Sequence, residues 1–97
     1  MGRIFCGQSA LRITLKTFCN LEGVEKSEIK YRKPNKTEGV FSAGVSDTEQ
    51  GLIFHECIEG DINMSGWWAF WAFITFADGR TATGQAAQVY VWQEGKG

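Results

Sequence analysis

Hydrophobic and polar positions alternate with a period of two along most of this chain, the spacing that puts successive side chains on opposite faces of a β-strand. Leu11, Ile13 and Leu15 alternate with Arg12, Thr14 and Lys16; Ile29 and Tyr31 with Lys30 and Arg32; Val89 and Val91 with Tyr90 and Trp92. Polar breaks separate these runs at Gly7-Gln8-Ser9, Asn20 to Lys26, Pro34 to Gly39, Ser46 to Gly51 and Asp78-Gly79. Proline presets φ and lacks a ladder donor, and Asp-Gly favours a tight hairpin turn. The pattern predicts strands over 3–6, 10–18, 28–33, 40–45, 52–58, 67–77 and 80–93. About seven strands at roughly eight to twelve residue spacing, with no amphipathic helix between them, predict an all-β fold, an antiparallel immunoglobulin-like β-sandwich. A barrel of similar strand number is the alternative. One domain is expected over 1–97, with its core over about 4–92 and a flexible tail at 94–97.

One stretch dominates the pattern. Gly60 to Gly79 reads GDINMSGWWAFWAFITFADG and holds three of the four tryptophans. Trp67 to Ala77 contains no charge, proline or glycine, and its aromatic and β-branched content marks a central strand. Trp68, Phe70, Ala72, Ile74 and Phe76 fall on one face, with Trp68, Phe70, Ile74 and Phe76 expected as core. Trp67, Ala69, Trp71, Phe73 and Thr75 fall on the other. Only one face of such a strand normally meets the opposing sheet, so the second aromatic set needs a cover of its own.

Composition narrows the classes. Ninety-seven residues suffice for a core without metal or disulfide staples, and a formal net charge of -1 does not favour nucleic acid as a partner. The cluster Lys30, Arg32, Lys33 and Lys36 reads as a solvated strand face running into a turn. Three widely spaced cysteines, Cys6, Cys19 and Cys57, fit neither a disulfide framework nor a zinc knuckle, and reduced thiols are expected, Cys57 as a small buried side chain. The first residues lack a signal-peptide run and the central strand is too short to cross a bilayer as a helix, so a cytoplasmic site of synthesis and no membrane contact are expected.

Catalytic chemistry is not expected. His55-Glu56 matches half of a zinc-hydrolase helix motif, but His55 is the sole histidine, so it reads as a packed or half-exposed strand side chain. The serines lack a nucleophile-elbow context. Asp47, Glu49, Glu59, Asp61 and Asp78 read as turn carboxylates bonded to nearby backbone amides rather than as a catalytic pair or calcium ligands. No catalytic residue, metal or cofactor is assigned.

The order of turn and core signals also resembles a known group. Lys33-Pro34 with Gly39, Gly51-Leu52-Ile53-Phe54, and Gly60-Asp61-Ile62 leading through Gly66 to an aromatic strand closed by Ala77-Asp78-Gly79-Arg80 resemble the immunoglobulin-like N-terminal domain of phage baseplate upper proteins and related tail-associated proteins. That resemblance implies a non-catalytic structural protein of a phage or prophage tail, reaching the virion once assembled. Its implied partners are other virion or tail proteins, or a second copy of itself. Exposed polar residues are expected at Trp67, Trp71 and Phe73 in that pattern, and the departure marks a surface. Three accounts of the surface formed by Trp67, Trp71 and Phe73, with Tyr90 and Trp92 beside it, stay open. They are burial under the 20–26 loop or the first strand, a subunit or partner interface, and a carbohydrate-binding platform. The interface is the leading account.

Overall fold

The computed structural model describes residues 4–5, 11–17, 19–58, 60–84 and 86–93. The expected turn at Gly7 to Ser9, Glu59 and the expected flexible tail at 94–97 lie outside the described residues. Among the described residues nine strands follow one another: β1 (Ile4–Phe5), β2 (Arg12–Lys16), β3 (Val24–Arg32), β4 (Glu38–Ser42), β5 (Gly44–Asp47), β6 (Leu52–Glu56), β7 (Gly66–Phe76), β8 (Thr81–Thr83) and β9 (Ala87–Trp92). They form two sheets, one ordered β1-β9-β7-β3-β4 with β8 beside β7, the other ordered β2-β6-β5. All pairings are antiparallel except β1 with β9. The fold is the expected antiparallel β-sandwich.

The strand count differs from about seven because two expected strands divide. At Ala43 the chain leaves the edge of the larger sheet and joins the smaller one. Ser27 covers that crossing: its carbonyl accepts from the Ala43 N–H at 3.0 Å and its hydroxyl donates to the Ala43 carbonyl at 2.7 Å. Backbone groups at the crossing are thus satisfied without a loop, and no polar break marks it in the sequence. The 80–93 segment divides into β8 and β9, which pair with the C-terminal and N-terminal halves of β7 on the same side.

Strand β7 sits between β3 on one side and β8 and β9 on the other, the central place its composition demands. Trp68, Phe70, Ala72 and Ile74 are buried with Ile29, Phe41, Ile53 and Val91, and Phe76 packs half-buried at the edge of that cluster. The Trp68 indole N–H, buried with the ring, donates to the Met64 carbonyl at 2.8 Å. Gly66 opens the strand at φ 121°, and a Cβ there would meet Pro34 Cγ at 2.8 Å. The left-handed backbone and the proline together require glycine. This contact seats the β3–β4 turn against the entry to β7.

Candidate metal centre

Strand β6 carries the site. Period-two alternation sends Ile53 and His55 toward the opposing sheet, and Cys57 continues it beyond the strand's last residue because its N–H still bonds to the Leu11 carbonyl at 2.8 Å. Ile53 and Cys57 are buried, which resolves a segment apolar on both faces. Phe54 on the outer face is covered by the Arg12 guanidinium, 4.2 Å from its ring centre.

The chain then folds back. The Asp61 N–H donates to the Ile58 carbonyl at 3.0 Å, while the Asp61 carboxylate accepts from the Ile58 N–H at 2.9 Å. This reciprocal pair closes a turn and aims Asp61 Oδ2 at the imidazole of His55, 2.9 Å from Nε2. The other ring nitrogen, Nδ1, lies 2.9 Å from the Ser42 carbonyl on the facing sheet. Phe41 stacks on the imidazole at 4.3 Å between centres and 5° between planes. The ring is therefore fixed in position and in tilt.

Hydrogen-bond inventory gives this geometry its chemistry. The Ser42 carbonyl only accepts, so Nδ1 carries a proton. Nε2 on the other side of the ring faces the Asp61 carboxyl group. At 2.9 Å the two atoms share one proton in a hydrogen bond, and a metal ion that both ligate would need them about 3.3 Å apart. The His55 and Asp61 side chains are only 17% and 19% exposed, so solvent screens the contact weakly.

Cys57 supplies a third donor. The ligand atoms of His55, Cys57 and Asp61 all lie within 4.8 Å of one another. Tetrahedral coordination, with bonds of about 2.0–2.2 Å to nitrogen and oxygen and about 2.3 Å to sulfur, separates ligand atoms by roughly 3.3–3.6 Å. The 2.9 Å His55–Asp61 contact must widen to reach that spacing. Burial, followed by the nearby carboxylates of Asp61 and Glu56, pushes the Cys57 thiol up to about 11. A thiol so shifted is protonated in neutral solution without a metal, the opposite of an activated nucleophile.

The trio brings together residues that sequence reasoning had treated separately: His55 as a packed side chain, Cys57 as a small apolar one and Asp61 as a turn carboxylate. Two of the other carboxylates do serve turns, Asp47 accepting from the Gln50 N–H at 2.9 Å and Asp78 from the Arg80 N–H at 3.0 Å. The outer face of β7 is elsewhere. Trp67 and Tyr90 are exposed, in edge contact at 5.2 Å, and Trp71, Phe73 and Trp92 are half-buried. Lys30 Nζ lies 4.0 Å from the Phe73 ring centre. The first strand does not cover this face, because β1 extends the sheet beside β9.

No family model matches the chain and no curated protein matches it. Among solved structures, CopC from Methylosinus trichosporium OB3b is similar, with a TM-score of 0.59 and 16% identity over 97% of this chain and 87% of that one. The likeness is one of fold. It overturns the resemblance to baseplate upper proteins and, with it, the phage-tail module assembling through an aromatic face and the sugar-binding alternative. The signals behind that resemblance, glycine turns, a proline stop and an aromatic central strand, are those that β-sandwiches share as a class.

Proposed function

We propose that this β-sandwich binds a late first-row transition-metal ion through His55 Nε2, Cys57 Sγ and the Asp61 carboxylate, and that its role is binding rather than catalysis. The observation that supports the reading most is the contact between Nε2 and Asp61, held in register by Ser42 and Ile58 with a thiol beside it. The Ser42 carbonyl acts as the outer partner that fixes the tautomer of a ligating histidine, and Phe41 supplies the apolar wall. Nitrogen, sulfur and oxygen donors together fit Zn²⁺ and copper, and do not fit the all-oxygen shells of Ca²⁺ or Mg²⁺. The direct His55–Asp61 hydrogen bond is then the metal-free form of the site, with a proton in the ion's place.

Isothermal titration of the reduced protein with Zn²⁺ tests the proposal. One ion per chain is expected, with Mg²⁺ giving no heat. Removing a ligand in His55→Ala or Cys57→Ser should weaken binding by more than the roughly 10–100-fold cost of losing an outer-shell partner. Equal affinity in the wild type and both variants would reject the site.

A further inference from the structure

The outer face of the larger sheet has no cover among the described residues. Loss of the baseplate resemblance removes a virion as its setting and leaves the face itself bare. Along β7 it carries Trp67, Ala69, Trp71, Phe73 and Thr75 in steps of two. The register sets Tyr90 beside Trp67, Lys30 beside Trp71, and Val40 beyond Lys30 on the edge strand. Trp67, Tyr90 and Val40 are exposed, and Trp71, Phe73 and Trp92 are half-buried. Tyr90 meets Trp67 and Trp92 edge to face at 5.2 and 5.0 Å, so these rings are braced before any partner arrives. Monomers rarely leave so contiguous an apolar surface in water.

Charge on this face offers little to an ionic partner. Lys26 pairs with Glu28 at 3.6 Å and Arg32 with Glu38 at 2.7 Å, while Lys30 Nζ lies over the Phe73 ring. Cations and carboxylates thus offset one another within the chain, and a partner must match the face by shape and apolar contact.

The shape of β7 is self-matching. Large and small side chains alternate through Trp67, Ala69 and Trp71, with Phe73 next. Ala69 lines a cleft of about 510 Å³ together with Trp67, Gln88 and Tyr90, so a hollow lies one step along the face from the Trp71 ring. A two-fold axis crossing β7 between Ala69 and Trp71 sets Trp71 of each copy over Ala69 of the other, and Trp67 over Phe73. Such reciprocal pairing is what a two-fold contact requires, and sheets packed face to face about 10 Å apart interdigitate their side chains in this way. Strand β7 runs 11 residues, and at about 3.3 Å per residue and about 4.8 Å between strands the face covers on the order of 600 Å² in projection. Side-chain relief raises that toward the about 800 Å² per partner of a standard interface. We infer that the outer face of the larger sheet is a two-fold dimer interface, covered by a second copy of this chain. The contact is independent of the metal centre, whose ligands follow from β6 in the other sheet.

The test is light scattering over a concentration series of the reduced, chelator-treated protein, so that no bridging ion contributes. Wild type is expected to pass from monomer to dimer and no further. Trp71→Ala removes the ridge and Ala69→Trp fills the hollow, and each should weaken the dimer about thirtyfold or more, the scale of an interface hot spot. Combining Ala69→Trp with Trp71→Ala exchanges ridge and hollow across the axis and should recover most of that loss, which a merely destabilised chain would not do. Circular dichroism verifies folding, and Ala69→Leu takes the place of Ala69→Trp if the larger ring is not accommodated. A monomer at every concentration, a dimer unmoved by both single variants, or a double variant as weak as the singles would each overturn the two-fold contact.

Discussion

The end of β6 and the outer face of β7 depart from the usual distribution of side chains in opposite senses. At β6, polar groups are drawn into the sandwich; on β7, large aromatic rings are left in water. The first departure is resolved within the molecule, since Nδ1, Nε2 and the Asp61 carboxylate each have a partner of the same chain. The second is not, since Trp67 is 60% exposed and braced only along one side by Tyr90. Buried polar groups are costly unless paired, so such a cluster must be positioned by the fold itself. Exposed aromatics carry no such demand, and their geometry can wait for a ligand.

The largest expected effect separates the two faces of β7 itself. Trp68→Ala should destabilise the protein by about 3–5 kcal/mol through loss of a fully buried ring. Trp67→Ala, one residue earlier and on the open face, should cost less than about 1 kcal/mol. Urea unfolding followed by circular dichroism measures both, and similar losses would place Trp67 in a covered interior that the fold does not show.

Next comes the polar cluster. Asp61→Ala leaves the Ile58 N–H and the half-buried imidazole without their acceptor, and about 1–3 kcal/mol of metal-free stability should be lost. Asp61→Asn, which keeps an acceptor oxygen, should lose less. A smaller loss is expected for Phe41→Leu, which stays apolar but gives up the stacked contact, worth about 0.5–1.5 kcal/mol, under the imidazole. Thermal melts without metal rank the three.

The smallest effect lies at the β7–β8 turn, outside both regions. Asp78 is held below the ordinary carboxylate range by the Arg80 N–H and then by the Arg80 guanidinium, whose Nε lies 2.6 Å away. Folding thus favours its ionised form. The contribution is complete above the unfolded carboxyl's range and is lost as pH falls through the lower, folded value. The melting-temperature gap between wild type and Asp78→Asn should therefore be small at neutral pH and close in acid.

Much of the fold was legible because alternation and turn chemistry agree. Leu11, Ile13 and Leu15 declare β2, and Trp67 to Ala77 declares a central strand. The division at Ala43 was hidden because Ser27 satisfies the crossing from a distance in sequence. Strand β3 begins at Val24 rather than near Glu28 because β7 is long enough to pair with it, across a bulge between Val24 and Lys26. Two of the three candidate metal ligands were present as spacing, since His55 and Cys57 are two apart and share a strand face. Reading His55-Glu56 against a helical zinc motif looked for a second histidine where the strand period offered a cysteine. Asp61 was beyond reach, because its approach depends on a turn that its own side chain closes at Ile58. The exposed aromatics were visible as a departure, while the approach of the β3–β4 turn to the entry of β7 arises only when Pro34 packs on Gly66.

The central claim, that His55, Cys57 and Asp61 form one ligand set, is tested most directly by absorption spectroscopy of the reduced protein titrated with Co²⁺. A thiolate-to-cobalt charge-transfer band that saturates at one ion per chain, disappears in Cys57→Ser and is displaced by Zn²⁺ is the predicted result. A featureless titration, or an unchanged band in Cys57→Ser, would contradict the account and leave the His55–Asp61 contact as a hydrogen bond that holds the turn to the strand.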